Sequence, residues 1–317
     1  MKITDNFRET GVKQVSFELL PPLKGDNMQK IYTTLDPLME FNPPYINVTY
    51  HREEVVYKKH ANGLLERKIV RKRPGTVAIS AAIKFRYGID VVPHLICGGF
   101  TREETENALI DLHFLGIHNV LALRGDTQRN QRSFVAEPDG NAHAVDLVRQ
   151  IMDMNAGKYL DEELENATHT QFLVGVAGYP EKHEEAPNIQ IDLKHLKDKV
   201  DAGAEYIVTQ MFFSNERFFQ FVKMCREAGI TVPIIPGIKP LTSKAQIYTI
   251  PKAFSVDIPF DLATEIEKCK DNDAAYEVGI EWAINQTREL YKEGASVVHF
   301  YTMGRSENIR KIVSTVL

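Results

Sequence analysis

Residues 91–125 read VVPHLICGGFTREETENALIDLHFLGIHNVLALRG, and the order of chemistries in that stretch decides the fold. Residues 91 to 97 are an apolar, β-branched run that ends at Gly98 and Gly99, the pattern of a strand. Thr101 with Glu104 then makes a capping box, apolar positions recur at helical spacing, and Gly116 falls where the helix should stop. Residues 119 to 125 form a second strand run. Strand, helix and strand joined by short connections imply a parallel sheet covered by helices. Pro93 inside the first run is an objection, because proline removes a ladder hydrogen bond.

The same alternation extends in both directions. Strand runs lie at 14 to 20, 45 to 50, 91 to 97, 119 to 125, 171 to 178, 206 to 213, 233 to 239 and 297 to 303. Helical periodicity fills 28 to 40, 76 to 87, 101 to 116, 143 to 157, 188 to 203, 215 to 229 and 273 to 294, with Gly203, Gly229 and Gly294 at helix ends. Eight strands alternating with helices predict the α/β class and a single (β/α)8 TIM barrel spanning 1–317. An open doubly wound sheet is the competing architecture. No strand is followed by GxGxxG, and there is no GxxxxGK[ST] loop, which counts against it. Two long stretches read as irregular, 51 to 75 and 126 to 142, follow the second and fourth strands on the face where barrel enzymes place their active sites.

Composition narrows the class of partner. Of 317 residues, 43% are hydrophobic and 26% charged, with a net charge of -5, so the chain reads as globular and offers no general basic field for nucleic acid. Cys97, Cys225 and Cys269 are too few and too far apart for a disulfide framework or a CxxC metal site, which fits a reducing cytoplasm. The start carries no apolar signal core, and no uncharged apolar stretch approaches the roughly 20 residues of a membrane helix. A soluble, cytoplasmic protein with a small-molecule partner is expected.

In a barrel, the polar residues at the strand ends share one mouth. They are Glu18, Thr49 with Tyr50, His94, Arg124 with Asp126, Tyr179 with His183, Gln210 and Arg305. Each has an ordinary structural explanation, such as a core histidine or a local ion pair. Glu18 is the least ordinary, because it interrupts the run Gln14 to Leu20 just before Pro21 and Pro22. It is either an outward-facing strand residue or an acid aimed at a cavity, since an unpaired carboxylate in the interior costs several kcal/mol. Asp192 and His195 lie three apart on a helix without a third ligand at suitable spacing, so no metal is expected. No nucleophile elbow is present. The basic run from Arg67 to Arg73 reads either as a solvated approach to a helix or as an electrostatic aid to a phosphorylated cofactor. Mixed charged and neutral groups around a broad mouth suit a large heterocycle or dinucleotide, and therefore redox cofactor chemistry.

Nine segments in register resemble one family. They are Phe17-Glu18 before Pro21-Pro22, Asn47 to Tyr50, Pro93 to Leu95, Leu123 to Asp126, Tyr179 to His183, Lys199 to Ala204, Thr209-Gln210, Ile235 to Ile238 and His299 to Thr302. Together they are similar to 5,10-methylenetetrahydrofolate reductase of the bacterial type. The resemblance implies a barrel with non-covalent FAD that reduces 5,10-methylenetetrahydrofolate to 5-methyltetrahydrofolate, using NADH or NADPH in ping-pong order and supplying methyl groups for methionine synthesis. It implies that Glu18 is the catalytic acid and that Asp126, between flavin and folate, influences both. Thr49, Tyr50, His94, Arg124, Gly125, Asp126, His143, Ala144, Ala177, Tyr179, His183, Ala186, Asp192, His195 and Lys199 would bind cofactor, with Thr49 touching nicotinamide or folate. Gln210, Gln246 and Arg305 would bind substrate. A homo-oligomer follows from the same resemblance, and because the sequence ends soon after the eighth strand run, the carboxyl-terminal regulatory domain of animal and fungal relatives is not expected. Ile250 and the stretch 51–73 depart from some relatives, as do His195 and Asp198. A different flavin barrel of the proline dehydrogenase kind and a catalytically silent folate-binding protein stay open as alternatives.

Overall fold

The computed structural model describes residues 3–8, 12–128, 131 and 133–317. Its strands are β1 (Gln14–Leu19), β2 (Tyr45–Val48), β3 (Glu54–Lys59), β4 (Leu65–Val70), β5 (Asp90–Ile96), β6 (Asn119–Leu123), β7 (Leu173–Gly178), β8 (Tyr206–Thr209), β9 (Ile234–Ile235), β10 (Gly237–Ile238) and β11 (Val297–Tyr301). The helices are α1 (Met28–Leu35), α2 (Thr76–Tyr87), α3 (Arg102–Phe114), α4 (Ala144–Asn155), α5 (Ile189–Asp201), α6 (Asn215–Glu227), α7 (Gln246–Phe254), α8 (Phe260–Lys268), α9 (Asn272–Lys292) and α10 (Glu307–Val316). Short 3-10 helices cover Ile3–Arg8 and Asp36–Phe41.

The main sheet runs β10-β11-β1-β2-β5-β6-β7-β8-β9, and its pairings are parallel. Its two terminal members are separated only by Pro236, so the sheet closes on itself as the expected (β/α)8 barrel. Proline has no amide proton, which interrupts the ladder there, yet the Pro236 carbonyl still accepts from His299 N at 2.9 Å. Pro93 likewise sits within β5, opposite Val48.

Period-two alternation sorts side chains between two cores. On β1, Val15, Phe17 and Leu19 face the layer between strands and helices, whereas Ser16 faces the barrel interior and bonds His299 Nδ1 at 2.9 Å. The lower interior is filled by Tyr45, Val92, Leu121, Leu173, Tyr206, Val208, Ile235 and Val297. Ile3 and Phe7 close it from below, with the Phe7 ring 6.0 Å from Tyr45 and 5.6 Å from Tyr206. Gly175 makes room for Tyr206, because a Cβ at that position would overlap the tyrosine ring. Among the described residues the upper interior has no such plug, so it is the end available to a ligand.

The capping box before α3 forms in both directions: Glu104 N donates to Thr101 Oγ1 at 3.1 Å and Thr101 N to Glu104 Oε2 at 2.8 Å. Gly116 takes φ +66° where that helix stops. Several elements differ from the sequence reading. The stretch 51–75, read as irregular, contains the antiparallel hairpin β3–β4, from Glu54 opposite Val70 to Lys59 opposite Leu65. Tyr57, Leu65 and Ile69 are exposed on that hairpin, so no core imposes an apolar alternation on its sequence. Periodicity also passed over α7, α8 and α10, and 28–40 divides into α1 and a 3-10 turn carrying Pro37 in its first turn. Four strands end two or more residues before their apolar runs do, at Val48, Leu123, Thr209 and Tyr301.

Candidate active site

Glu18 lies in register with Asn47 on one side and Tyr301 on the other, and it faces the barrel interior as Ser16 does. Its carboxyl has no hydrogen-bond or ionic partner among the described residues, and burial pushes its pKa up to about 8. The residue retains some exposure because one side opens into the mouth. Thr302 Oγ1 donates to the Glu18 carbonyl at 2.6 Å, fixing the backbone at the strand end. Thr49 is tied to the same strand end by N–H and Oγ1 contacts to Leu19 O of 3.1 and 3.3 Å.

The neighbouring upper layer is polar but neutral. His94 Nε2 lies 3.3 Å from Asn47 Oδ1, and burial with the nearby His299 and His51 takes its pKa down to about 3. His299 is lowered to about 3 by burial as well. Tyr301 donates its hydroxyl to Thr209 O at 2.6 Å, leaving that ring as a fixed wall beside Glu18. Gln210 accepts from Met211 N through Oε1 at 2.9 Å, and its amide nitrogen has no partner among the described residues. A cavity of about 380 Å³ beside β5 is lined by Tyr50, Arg71, Thr76, His94, Phe100 and Asp111, among others. That volume falls in the small-ligand range. The Tyr50 and Phe100 rings meet edge-on there at 5.0 Å.

A second group connects β6, β7 and α5. Arg124 pairs with Glu185, and its guanidinium lies 4.8 Å from the Phe134 ring centre. Glu185 N donates to His183 Nδ1 at 3.2 Å, His183 N to Asp192 Oδ2 at 2.9 Å, and the His183 ring packs against Tyr179 at 4.7 Å. Lys199 donates to Ala177 O at 2.7 Å, and burial, partly offset by Asp192, lowers its pKa to about 8. Lys182 Nζ reaches Ala186 O at 2.7 Å. The structure therefore joins Arg124, Ala177, Tyr179, His183, Ala186, Asp192 and Lys199 in one connected cluster. Gly125, φ +87°, packs against Ile96, and Asp126 is exposed beyond it with its charge felt by His51 and Tyr179. His143, exposed at the start of α4, influences Glu185 from that rim, and Ala144 follows it as the first residue of the helix.

A model of the methylenetetrahydrofolate reductase family matches residues 2–316. The chain belongs to the methylenetetrahydrofolate reductase family. It is 33% identical to 5,10-methylenetetrahydrofolate reductase of Salmonella typhimurium, covering 96% of this chain and 91% of that protein. Against methylenetetrahydrofolate reductase (NADH) 1 of Arabidopsis thaliana it is 32% identical, over 96% of this chain but 48% of the relative. The chain thus spans about half the length of the plant, nematode and yeast relatives it matches. Among solved structures, an uncharacterized protein from Clostridium thermocellum that binds two copies of 5-methyl-5,6,7,8-tetrahydrofolic acid aligns with a TM-score of 0.61, covering 99% of this chain and 96% of that one. At 14% identity, that likeness supports the fold alone.

Within the family frame, some anticipated residues stand apart. His195 is exposed on α5 and, among the described residues, makes no hydrogen bond or ion pair with the cluster around Asp192. Gln246 Oε1 is engaged locally by Thr242 N at 2.6 Å. Ile250 is 4% exposed and belongs to a small core with Met211, Phe213 and Leu262, so it packs rather than faces a ligand. Three residues passed over in the sequence are notable. Arg52 pairs with Glu137 at 3.1 Å, yet its buried Nε and Nη1 have no partner among the described residues. Glu181 has both carboxyl oxygens buried, and burial, partly offset by Arg217 and the Asp257 backbone, raises its pKa to about 7. Lys239 follows β10 and is 6% exposed. A charged residue closing an apolar strand run was the available signal for Lys239, as it was for Glu18. Among the described residues no three His, Cys, Asp or Glu side chains are arranged to hold a metal, and no helix is long and apolar enough to cross a membrane.

Proposed function

We propose that the chain reduces 5,10-methylenetetrahydrofolate to 5-methyltetrahydrofolate, with non-covalent FAD and with NADH or NADPH as donor, in two separate half-reactions. The observation that carries this reading is Glu18, an unpaired acid at the barrel mouth whose pKa of about 8 keeps it protonated at neutral pH. Opening the folate's five-membered ring requires a nitrogen to leave, and nitrogen leaves readily only when protonated. Glu18 donates that proton. Gln210 offers its free amide to the pterin, and Asp126 supplies negative charge where the ring-opened folate is cationic.

The residues present fit a dinucleotide. The orphaned N–H groups of Arg52 need oxygen acceptors, which a diphosphate supplies. Tyr50, His94, Arg124, Gly125, Ala177, Tyr179, His183, Ala186, Asp192 and Lys199 would hold it, with Thr49, His143 and Ala144 at the edge. FAD, when bound, supplies the two-electron carrier between nicotinamide and folate. His94, neutral through the physiological range, adds no competing charge beside Glu18. Gln246 and Arg305 complete the substrate end, and association into a homo-oligomer is part of the same reading.

Purified protein should be yellow, bleach anaerobically with NADH or NADPH, and regain colour when methylenetetrahydrofolate is added. Protein that binds no FAD overturns the reading, and reoxidation indifferent to the folate would point to another flavin barrel.

A further inference from the structure

Lys239 is a buried cation on the upper wall that neither the cluster at α5 nor the proton donor uses. Strand alternation sets its direction: Ile238 packs in the outer core, while a Cβ on Gly237 would meet the Tyr301 ring, so Gly237 and Lys239 share the interior side. Continuing the register Gly237 with His299 and Ile238 with Phe300 brings Lys239 opposite Tyr301, which is itself opposite Glu18. The residue is 6% exposed, and among the described residues its ammonium has no hydrogen bond and no carboxylate partner. The nitrogen is nevertheless not sealed in and keeps some contact with the open mouth.

The charge that acts on it has the wrong sign for a structural pair. Arg305, in the turn after β11 built by Met303 (φ 49°) and Gly304 (φ 76°), is exposed and acts on Lys239 as a second cation. Burial and this guanidinium together lower the Lys239 pKa to about 8. Placing an ammonium in the interior is unfavourable by several kcal/mol unless a counter-charge meets it. Two mutually repelling cations without an anionic partner among the described residues, one buried and one at the rim, make a receptor for an oxyanion that arrives with a ligand.

Resting on the functional reading above, we propose that Lys239, with Arg305, binds an anionic group of a ligand in the mouth, and so determines which ligand is held there. The shared chemistry is a carboxylate or phosphate oxygen. Its source is either the glutamyl tail of the folate or the phosphates of the nicotinamide dinucleotide.

The test compares the flavin-loaded enzyme with its Lys239→Met variant by anaerobic stopped flow. Flavin is reduced with NADH or with N-benzyl-1,4-dihydronicotinamide, which carries no phosphate. It is reoxidised with 5,10-methylenetetrahydrofolate or with the corresponding pteroate, which lacks the glutamate. The apparent Kd of one anionic ligand should rise about tenfold or more in the variant, and the truncated counterpart of that ligand should show no such loss. The half-reaction affected identifies the source. Unchanged Kd values for both natural ligands, or equal losses with the truncated ones, overturn the proposal.

A second measurement does not depend on turnover. In the absence of ligand, Lys239→Met should raise Tm by removing an uncompensated buried charge, and inorganic phosphate should stabilise the wild type but not the variant. A lower Tm in the variant together with an unaltered response to phosphate would show that the ammonium has a structural role and would overturn the proposal. Wild-type enzyme that responds to phosphate through Lys239 yet ignores methylenetetrahydrofolate would overturn the functional reading and leave the anion site standing.

Discussion

At the scale of the residue, the mouth separates a proton donor from groups that stay neutral. Glu18 has no partner to favour its ionised form, so burial alone raises its pKa to about 8, while the same burial lowers His94 and His299 to about 3. The folate half-reaction therefore should be flat on the acid side and fall as pH rises through about 8, where Glu18 loses its proton. Replacing Glu18 by Gln should slow that half-reaction by about 100-fold or more and remove its alkaline limb, while flavin reduction by the nicotinamide changes by only a few fold. Single-turnover absorbance of the flavin at several pH values checks both parts, and equal losses in the two half-reactions would make Glu18 structural. Glu18 was legible because a carboxylate interrupts an apolar run. Arg52 was not, because its burial depends on Glu137 and Gly98, which are distant in sequence.

At the scale of the element, strands were legible where a buried layer imposed apolar runs bounded by Gly or Pro, and illegible where it did not. Glu54–Lys59 and Leu65–Val70 pair with each other away from the main core and show no alternation. The strand at 233–239 was legible as one run but is divided by Pro236, and α7 contains Pro251, a residue that helical periodicity treats as a break. The run 171 to 178 contains Gly175, whose purpose depends on Tyr206 from the next strand and was not legible in it. Gly175→Ala puts a methyl group into the ring of a fully buried tyrosine, with Phe7 behind it. It should destabilise the protein by about 1–3 kcal/mol, read as a lower urea midpoint with an unchanged slope. A neutral result would mean that the interior layer yields more than its packing suggests.

At the scale of the whole molecule, closing eight strands into a barrel gathers ionisable groups in the interior, and their shifts set how stability depends on pH. His94 and His299, lowered from 6.5 to about 3, bind fewer protons folded than unfolded across that interval, so stability rises with pH there. Glu18 and Glu181, raised from 4.5 to about 8 and about 7, hold protons that the unfolded chain has released, so their contribution is complete below pH 4.5 and is lost as pH rises through the folded values. Lys199 and Lys239, lowered from 10.5 to about 8, reverse the trend above that point. Between pH 4.5 and 6.5 the two histidines and two acids oppose each other; above 6.5 only the acids titrate, until about 8. Ligand-free protein should accordingly lose Tm between pH 6.5 and 8, on the order of a few degrees. Glu18→Gln should remove part of that decline, because its amide carries no proton to release. A calorimetric profile in which wild type and variant fall in parallel between pH 6.5 and 8 would mean that Glu18 ionises in the folded state much as it does in water, which would remove the basis for assigning it the proton.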